Sequence, residues 1–318
     1  MEHENELKLI NMSDVEVTEV KWLWKPYIPI GKITIIQGDP GEGKTTMILA
    51  IASALTTGAI LPLSEEALEC SNVIYQTAED GLSDTIKPRL LAAGADCTKV
   101  IVIDESHKEL TLSDKRIEEA IMETSAQLLI IDPLQAYLGS GVDMHRANEI
   151  RPIFKNLSSV AERTGCAIVI IGHMNKAGGT KGLYRGLGSI DITAAARSVL
   201  LVGRVRADPT IRVMAQIKSS LAPEGKKIAF KLEEENGFAW IGEYDIDLDE
   251  LLGGSSTESV LKRAEKLIKE VLDDGAKASD YVVERAKENQ ISQRTLKTAK
   301  KNLEVKSIKT KEGWKWQL

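Results

Sequence analysis

From Lys32 to about Gly203, short apolar runs rich in β-branched residues alternate with longer amphipathic stretches. The runs KITIIQ, SNVIYQT, KVIVID, QLLIID, CAIVIIG and SVLLVG are apolar almost throughout, which predicts strands of a largely parallel sheet buried on both faces, joined by crossover helices. IRVMAQIK, KIAFKLEEE and FAWIGEY follow closely, with Asn236-Gly237 as a turn signal, and predict an antiparallel extension. Gly253-Gly254-Ser255-Ser256 then marks a flexible boundary. Beyond it, helical periodicity is expected from Ser259 to Leu272, from about Ser279, and from Ser292 through ISQRTLKTAKKNL. The end, VKSIKTKEGWKWQL, reads as two short strands around Lys311-Glu312-Gly313. Three helices and a β-hairpin are the order of a winged helix-turn-helix. The chain is expected to divide into an extension (1–20), a main α/β domain (21–252), a linker (253–258) and this small domain (259–318).

The 318 residues suffice for one α/β domain with a sizeable core plus an appendage. The net charge of −6 is unevenly spread: residues 258–318 hold 15 Lys+Arg against 10 Asp+Glu, or +5, leaving −11 on residues 1–257. A basic tail on an acidic body suggests a polyanion-binding module, although a solvated helix face gives the same charge. No apolar run approaches the roughly 18–20 residues of a membrane helix. The start, MEHENELKLI, is too acidic for a secretory signal, so a cytoplasmic protein without membrane contact is expected. Cys70, Cys97 and Cys166 form no metal or redox spacing and are expected to be buried thiols.

Candidate chemistry starts at Gly38-Asp39-Pro40-Gly41-Glu42-Gly43-Lys44-Thr45, followed by Thr46. It satisfies G-x-x-x-x-G-K-[ST] between a strand and the helix pattern TTMILAIASAL. Such a loop closes its backbone N–H groups round phosphates, with Lys44 reaching the β/γ-phosphates and the Thr45 hydroxyl binding Mg²⁺. Asp132 ends the strand LLIID, where a doubly wound sheet carries its ligand groups. Pro133 occupies the next position, so a group that activates water must come from elsewhere; Glu79, just past VIYQT, would stand at the same sheet edge. His173 ends another strand and could sense the γ-phosphate, though a lone histidine is commonly structural. Trp22, Trp24 and Tyr27 pack in the core or stack on a base.

In this order, GDPGEGKTT, VIYQTAED, LLIIDPL, GCAIVIIGHMNK and RGLGSIDITAAAR resemble the RepA-like branch of the hexameric RecA-type ATPases, which contains plasmid and phage replicative helicases. The similarity spans roughly Trp22 to Phe238. It implies a RecA-like domain that uses ATP and Mg²⁺, with Lys44 and Thr45 at phosphates and metal, Glu79 as catalytic base, Asp132 at the metal water and His173 as γ-phosphate sensor. Arg197 matches an arginine finger that reaches a neighbouring subunit's nucleotide, and Lys218 in IKSS a lysine that assists it. A finger in trans requires an oligomer, and a ring of six is the family's habit.

In such rings the loops after the Asp132 and His173 strands face a central channel. Here those are 138–146 and 176–185, the second glycine-rich with Lys176, Lys181 and Arg185 to track the phosphates of single-stranded DNA and Tyr184 to stack. In the tail, Leu296, Ala299 and Leu303 should face a small core, turning Arg294, Lys297 and Lys301 outward on the third helix for duplex DNA or a replication protein. The hairpin carries Lys309, Lys311 and Lys315, and of Trp314 and Trp316 one is expected in the core and one outside. The tail resembles winged-helix tails on phage and mobile-element ATPases. The expected function is an ATP-driven replicative helicase; the rivals are an ATP-dependent DNA switch or loader and a nucleotide-gated transcriptional regulator.

Overall fold

A computed structural model describes residues 9–173, 190–233, 237–251, 260–273, 275–289, 291–303, 305–310 and 313–317. The chain divides into two compact units, Met1–Leu252 and Gly253–Leu318. In the first, β1 (Trp22–Trp24) and β2 (Ile28–Pro29) pair with each other. β3 (Ile33–Gly38) runs into the phosphate-loop sequence and α1 (Lys44–Thr57). Then come β4 (Val73–Thr77), α2 (Lys87–Ala92), β5 (Val100–Ile101), α3 (Arg116–Thr124), β6 (Leu128–Asp132), α4 (Ala147–Thr164), β7 (Ala167–His173), α5 (Ile190–Ala195) and β8 (Ser198–Arg204). The unit continues with β9 (Ile211–Ser219), β10 (Ile228–Glu233), β11 (Gly237–Glu243) and α6 (Leu248–Leu251).

The central sheet has the order β11-β10-β9-β8-β3-β7-β6-β4-β5. The six strands from β8 to β5 are parallel, and β9, β10 and β11 extend the sheet antiparallel. This mainly parallel α/β sheet fits a RecA-like P-loop domain. The apolar runs are buried on both faces because each face has its own core. Ile36, Val73, Tyr75, Leu128, Ile130, Val169 and Ile171 pack with α1 residues such as Met47 and Ile51. The alternate positions Ile33, Ile35, Ile74, Leu129, Ile131, Ile168 and Ile170 pack with Ile117 of α3 and Ile150 and Phe154 of α4. Period-two alternation thus feeds two helix layers.

KVIVID is shorter as a strand than its composition suggests. Only Val100 and Ile101 join the ladder with β4. Beyond them the Gln76 side chain replaces the backbone: Ile103 N–H donates to Gln76 Oε1 at 2.6 Å, and Gln76 Nε2 donates to Ile103 O at 3.3 Å and to Glu105 Oε1 at 2.6 Å. Trp24 and Tyr27 are core residues. Their polar tips are satisfied by Pro62 O (3.0 Å) and Lys226 O (2.7 Å), and Trp24 makes an edge contact with Trp240 at 5.6 Å. Only Cys166 is a buried thiol; Cys97 is half-buried and Cys70 exposed, since both lie in connections outside the layers. No described helix is long and apolar enough to cross a membrane.

The second unit contains α7 (Val260–Leu272), β12 (Lys277–Ala278), α8 (Ser279–Glu288), α9 (Gln293–Asn302), β13 (Lys306–Thr310) and β14 (Gly313–Gln317). Its three strands form the sheet β12-β14-β13. Ser292 opens α9, its hydroxyl accepting from Thr295 N–H at 3.2 Å. Leu296 and Ala299 enter a core with Ile268, Val282, Ala286 and Trp316, and Leu303 packs on it half-buried. Lys297 and Lys301 are exposed on α9, and Arg294 lies in its first turn. Of the two tryptophans one is in the core and one outside, as expected. Standing two apart on β14, they share one face; Trp316 is buried and Trp314 exposed because they differ in position along the strand.

Candidate functional site: a phosphate loop and a buried carboxylate

Strand register assembles the site. Gly38 pairs with His173 across β3 and β7, and Thr77 with Asp132 across β4 and β6. All four strands are parallel, so the phosphate loop, Asp132, His173 and the Glu79 segment meet at one carboxyl edge. A Cβ at Gly38 would lie 2.2 Å from Val202 O of β8, so only glycine lets the loop leave the sheet there. Gly41 (φ +78°) and Gly43 (φ +86°) take the left-handed conformation that turns the loop into α1.

Lys44 is buried, and its ammonium donates to Gly38 O (2.9 Å) and Asp39 O (2.8 Å). Burial lowers its pKa; Asp132, Glu42, Asp39 and Glu79 oppose that in decreasing order. Thr45 Oγ1 donates to Asp132 Oδ2 at 2.7 Å, and Tyr75 OH donates to the same oxygen at 3.0 Å. Asp132 is 6% exposed, and burial pushes its pKa up despite those two donors. Two hard oxygens at this separation, one on a buried carboxylate, fit Mg²⁺, which commonly takes one or two protein oxygens and completes its octahedron with water and phosphate. Thr45 and Asp132 could hold that ion. Loop N–H groups and the α1 N-terminus could hold a nucleoside triphosphate's phosphates.

Glu79 projects from the loop after β4, its side chain 60% exposed, with Oε2 3.9 Å from His173 Nε2. His173 Nδ1 is buried without a hydrogen-bond partner among the described residues. The two side chains therefore face one another beside the loop, at a separation that leaves both available to a substrate. Asp80, next to Glu79, is fixed by an ion pair with Arg89 of α2 at 2.8 Å.

Arg197 and Lys218 stand elsewhere. Arg197 N–H donates to Ile33 O at 2.9 Å, at the start of β3. The phosphate loop leaves that strand five residues later, about 17 Å away at strand rise. Lys218 Nζ donates to Thr193 O (2.7 Å), Ala194 O (3.0 Å) and Ala196 O (2.8 Å), capping the end of α5. Burial and then the Arg197 charge lower its pKa. Neither side chain reaches the phosphate loop of its own chain. Of the two loops expected at a channel, 138–146 is tied to α4 by Asp143 N–H donating to Glu149 Oε2 at 2.7 Å and by the Arg146–Glu149 ion pair. Lys176, Lys181, Tyr184 and Arg185 lie outside the described residues.

Four features at the site escape sequence reasoning. Tyr75 is apolar-run filler by pattern, and its hydroxyl meets Asp132 only through the β4–β6 register. Arg204, at the end of β8, donates to Gly41 O at 3.2 Å and lies 3.7 Å from Glu42 Oε2, offsetting an acid inside an anion-binding loop. Arg212 of β9 is buried behind Gly43, its pKa lowered by burial and then by Arg204. Finally, a largely apolar cleft of about 370 Å³, lined by Thr46, Leu49, Arg89, Leu232 and Phe238 among others, adjoins the start of α1. Its size and lining suit a planar base beside the phosphates.

Residues 2–179 match the model of a protein family described as AAA domain. The chain is also similar to the DNA repair protein RadA of Bacillus subtilis (strain 168), 23% identical over 232 residues, covering 72% of this chain and 45% of that protein. RadA of Streptococcus pneumoniae (strain ATCC BAA-255 / R6) is 20% identical over 255 residues, 79% of this chain and 54% of that protein. RadA of Halalkalibacterium halodurans is 28% identical over 154 residues, 48% of this chain and 30% of that protein. The chain thus spans about half the length, or less, of these curated relatives.

Proposed function

Since the chain belongs to the AAA domain family, and its main unit has a RecA-like sheet, we propose that it is an ATP-driven, Mg²⁺-dependent motor on DNA, a helicase acting on single strands. The observation that carries the ATPase half is the Thr45–Asp132 contact of 2.7 Å beside buried Lys44. In the proposed cycle Lys44 would hold the β/γ-phosphates, and Thr45 and Asp132 would hold Mg²⁺, which when bound would neutralise charge on the phosphates. Glu79 takes a proton from the attacking water, and His173, 3.9 Å away, reads the presence of the γ-phosphate. The base occupies the cleft beside Thr46.

Arg197, at the opposite sheet edge from its own phosphate loop, would act on a neighbour's nucleotide with Lys218 beside it, so the working species is a ring, in the hexameric manner of RecA-type motors. The name of the relatives, DNA repair protein, supports DNA as the substrate class. The 176–185 segment, with Lys176, Lys181 and Arg185, would follow the single strand through the ring. The second unit, with its three helices and three strands, is read as a winged helix that presents Arg294, Lys297 and Lys301 to DNA or to a replication partner. A DNA-binding switch or loader is the second reading, favoured by the 60% exposure of Glu79, which a slow hydrolase would share.

ATP hydrolysis with and without oligo(dT) tests the proposal. Strong stimulation is expected in the wild type and its loss in Glu79→Gln and in Arg197→Ala. Mixing the two inactive variants should restore part of the rate, because about one interface in four then pairs an intact Glu79 with an intact Arg197. A rate indifferent to DNA moves the assignment to the switch, and an Arg197→Ala protein as fast as wild type removes the shared site.

A further inference from the structure

Trp314 is 54% exposed in a unit whose other tryptophan, Trp316, is 7% exposed. Both project from the same face of β14. Trp316 is covered by α9, with Lys300 Nζ 4.1 Å from its ring centroid. Trp314 lies one pleat further out, directly across the ladder from Lys309, with the next pair being Ile308 and Lys315. At 54% exposure the Trp314 indole keeps much of a flat apolar ring face open to a partner.

Charge selects the kind of occupant. Residues 293–317 hold eight Lys+Arg against two Glu, and the described residues of β13 and β14 include no acid. Lys306 and Lys309 are exposed on the strands, and Lys297 and Lys301 on α9. An aromatic face with a cationic surround fits a partner that combines flat π surfaces with negative charge, which is a nucleic acid. A closed duplex hides its base faces within the stack, whereas a single strand offers them.

We infer that the end of the β13–β14 ladder is a single-strand binding element, with Trp314 stacking on an unpaired base and Lys309 pairing with an adjacent phosphate. This rests on the assignment of DNA as the substrate, and it makes the second unit a reader of unpaired DNA instead of a reader of duplex grooves. One stacked base contributes about 1–3 kcal/mol, or roughly 5- to 150-fold in affinity.

The test is fluorescence anisotropy with the full chain, comparing labelled oligo(dT) with a blunt duplex of equal length. Trp314→Ala is expected to weaken oligo(dT) binding within that 5- to 150-fold range while leaving the duplex within about twofold, and Trp314→Phe should recover most of the loss because it keeps a ring. Lys309→Ala should lower the slope of log affinity against log salt by about 0.7, the value for one phosphate contact on a single strand. Wild-type binding of oligo(dT) that Trp314→Ala leaves unchanged, or equal losses on both DNAs, overturns the inference and leaves the motor assignment standing. A wild type that binds no oligo(dT) overturns both.

Discussion

Two glycines of the phosphate loop separate steric from conformational demand. At Gly38 an added Cβ would stand 2.2 Å from Val202 O. Val202 pairs with Met214 of β9 and follows Leu201, which pairs with Gln37 of β3, so the obstacle is central-strand backbone and cannot swing aside. Overpacking of this kind costs about 1–3 kcal/mol, and the fixed obstacle argues for the top of that range in Gly38→Ala. At Gly41 nothing lies within 4 Å of a Cβ, but φ is +78°. Gly41→Ala therefore meets only the left-handed penalty of about 1–2 kcal/mol. For a domain of this size 1 kcal/mol moves Tm by about 2–4 °C, so Gly38→Ala should melt about 6–12 °C below wild type and Gly41→Ala about 2–8 °C below. Thermal unfolding with and without Mg²⁺ and a non-hydrolysable ATP analogue also separates their functional effects. Relieving strain at Gly41 turns the loop's N–H groups, so this variant should lose part of the analogue-induced rise in Tm even where its own fold survives. A Gly38→Ala protein within about 1 kcal/mol of wild type, or one more stable than Gly41→Ala, would refute the steric reasoning.

Asp132→Asn should stabilise the protein in the absence of nucleotide. Its carboxyl titrates above the ordinary 3.8 in the native state because of burial; between those two values the native state binds more protons, so stability falls as pH rises and stays reduced at neutral pH. Melting curves should put Asp132→Asn above wild type at pH 7, converging below pH 4 and without stabilisation by Mg²⁺ and the analogue; a pH-independent difference would contradict this. Tyr75→Phe removes one of two donors to Asp132 Oδ2, and urea unfolding at pH 7 should show a loss of about 1.5–3 kcal/mol, as for hydrogen bonds to charged groups. A loss below about 0.5 kcal/mol would mean that Thr45 alone satisfies the carboxylate.

Much of the first unit was legible because parallel strands buried on both faces leave an unmistakable pattern of apolar runs. The phosphate loop was legible because its geometry demands particular residues at fixed spacing. What stayed hidden depends on register and on side chains that stand in for backbone. Gln76 ends β5 early by occupying the hydrogen bonds of Ile103. Tyr75 is indistinguishable from core filler until β4 lies beside β6. Arg204 and Arg212 look like surface charges at strand ends, and only the β8–β9 pairing brings both behind the phosphate loop. Trp314 and Trp316 show the limit of periodicity: a shared face gave them opposite environments, because α9 covers only part of the strand.

Sheet polarity has a consequence for how nucleotide state could be transmitted. β3 carries the phosphate loop at its carboxyl end, while the segment entering its parallel neighbour β8 holds Arg197 beside the amino end of β3. β8 then runs back to the site and ends in Arg204, on the loop carbonyl of Gly41. One strand therefore joins a candidate trans arginine to the loop that binds the chain's own nucleotide. Lys218 ties the Arg197 end to α5 through three carbonyls. On the proposed function, a single buried strand with a cation at each end would link the chain's own nucleotide to a neighbour's.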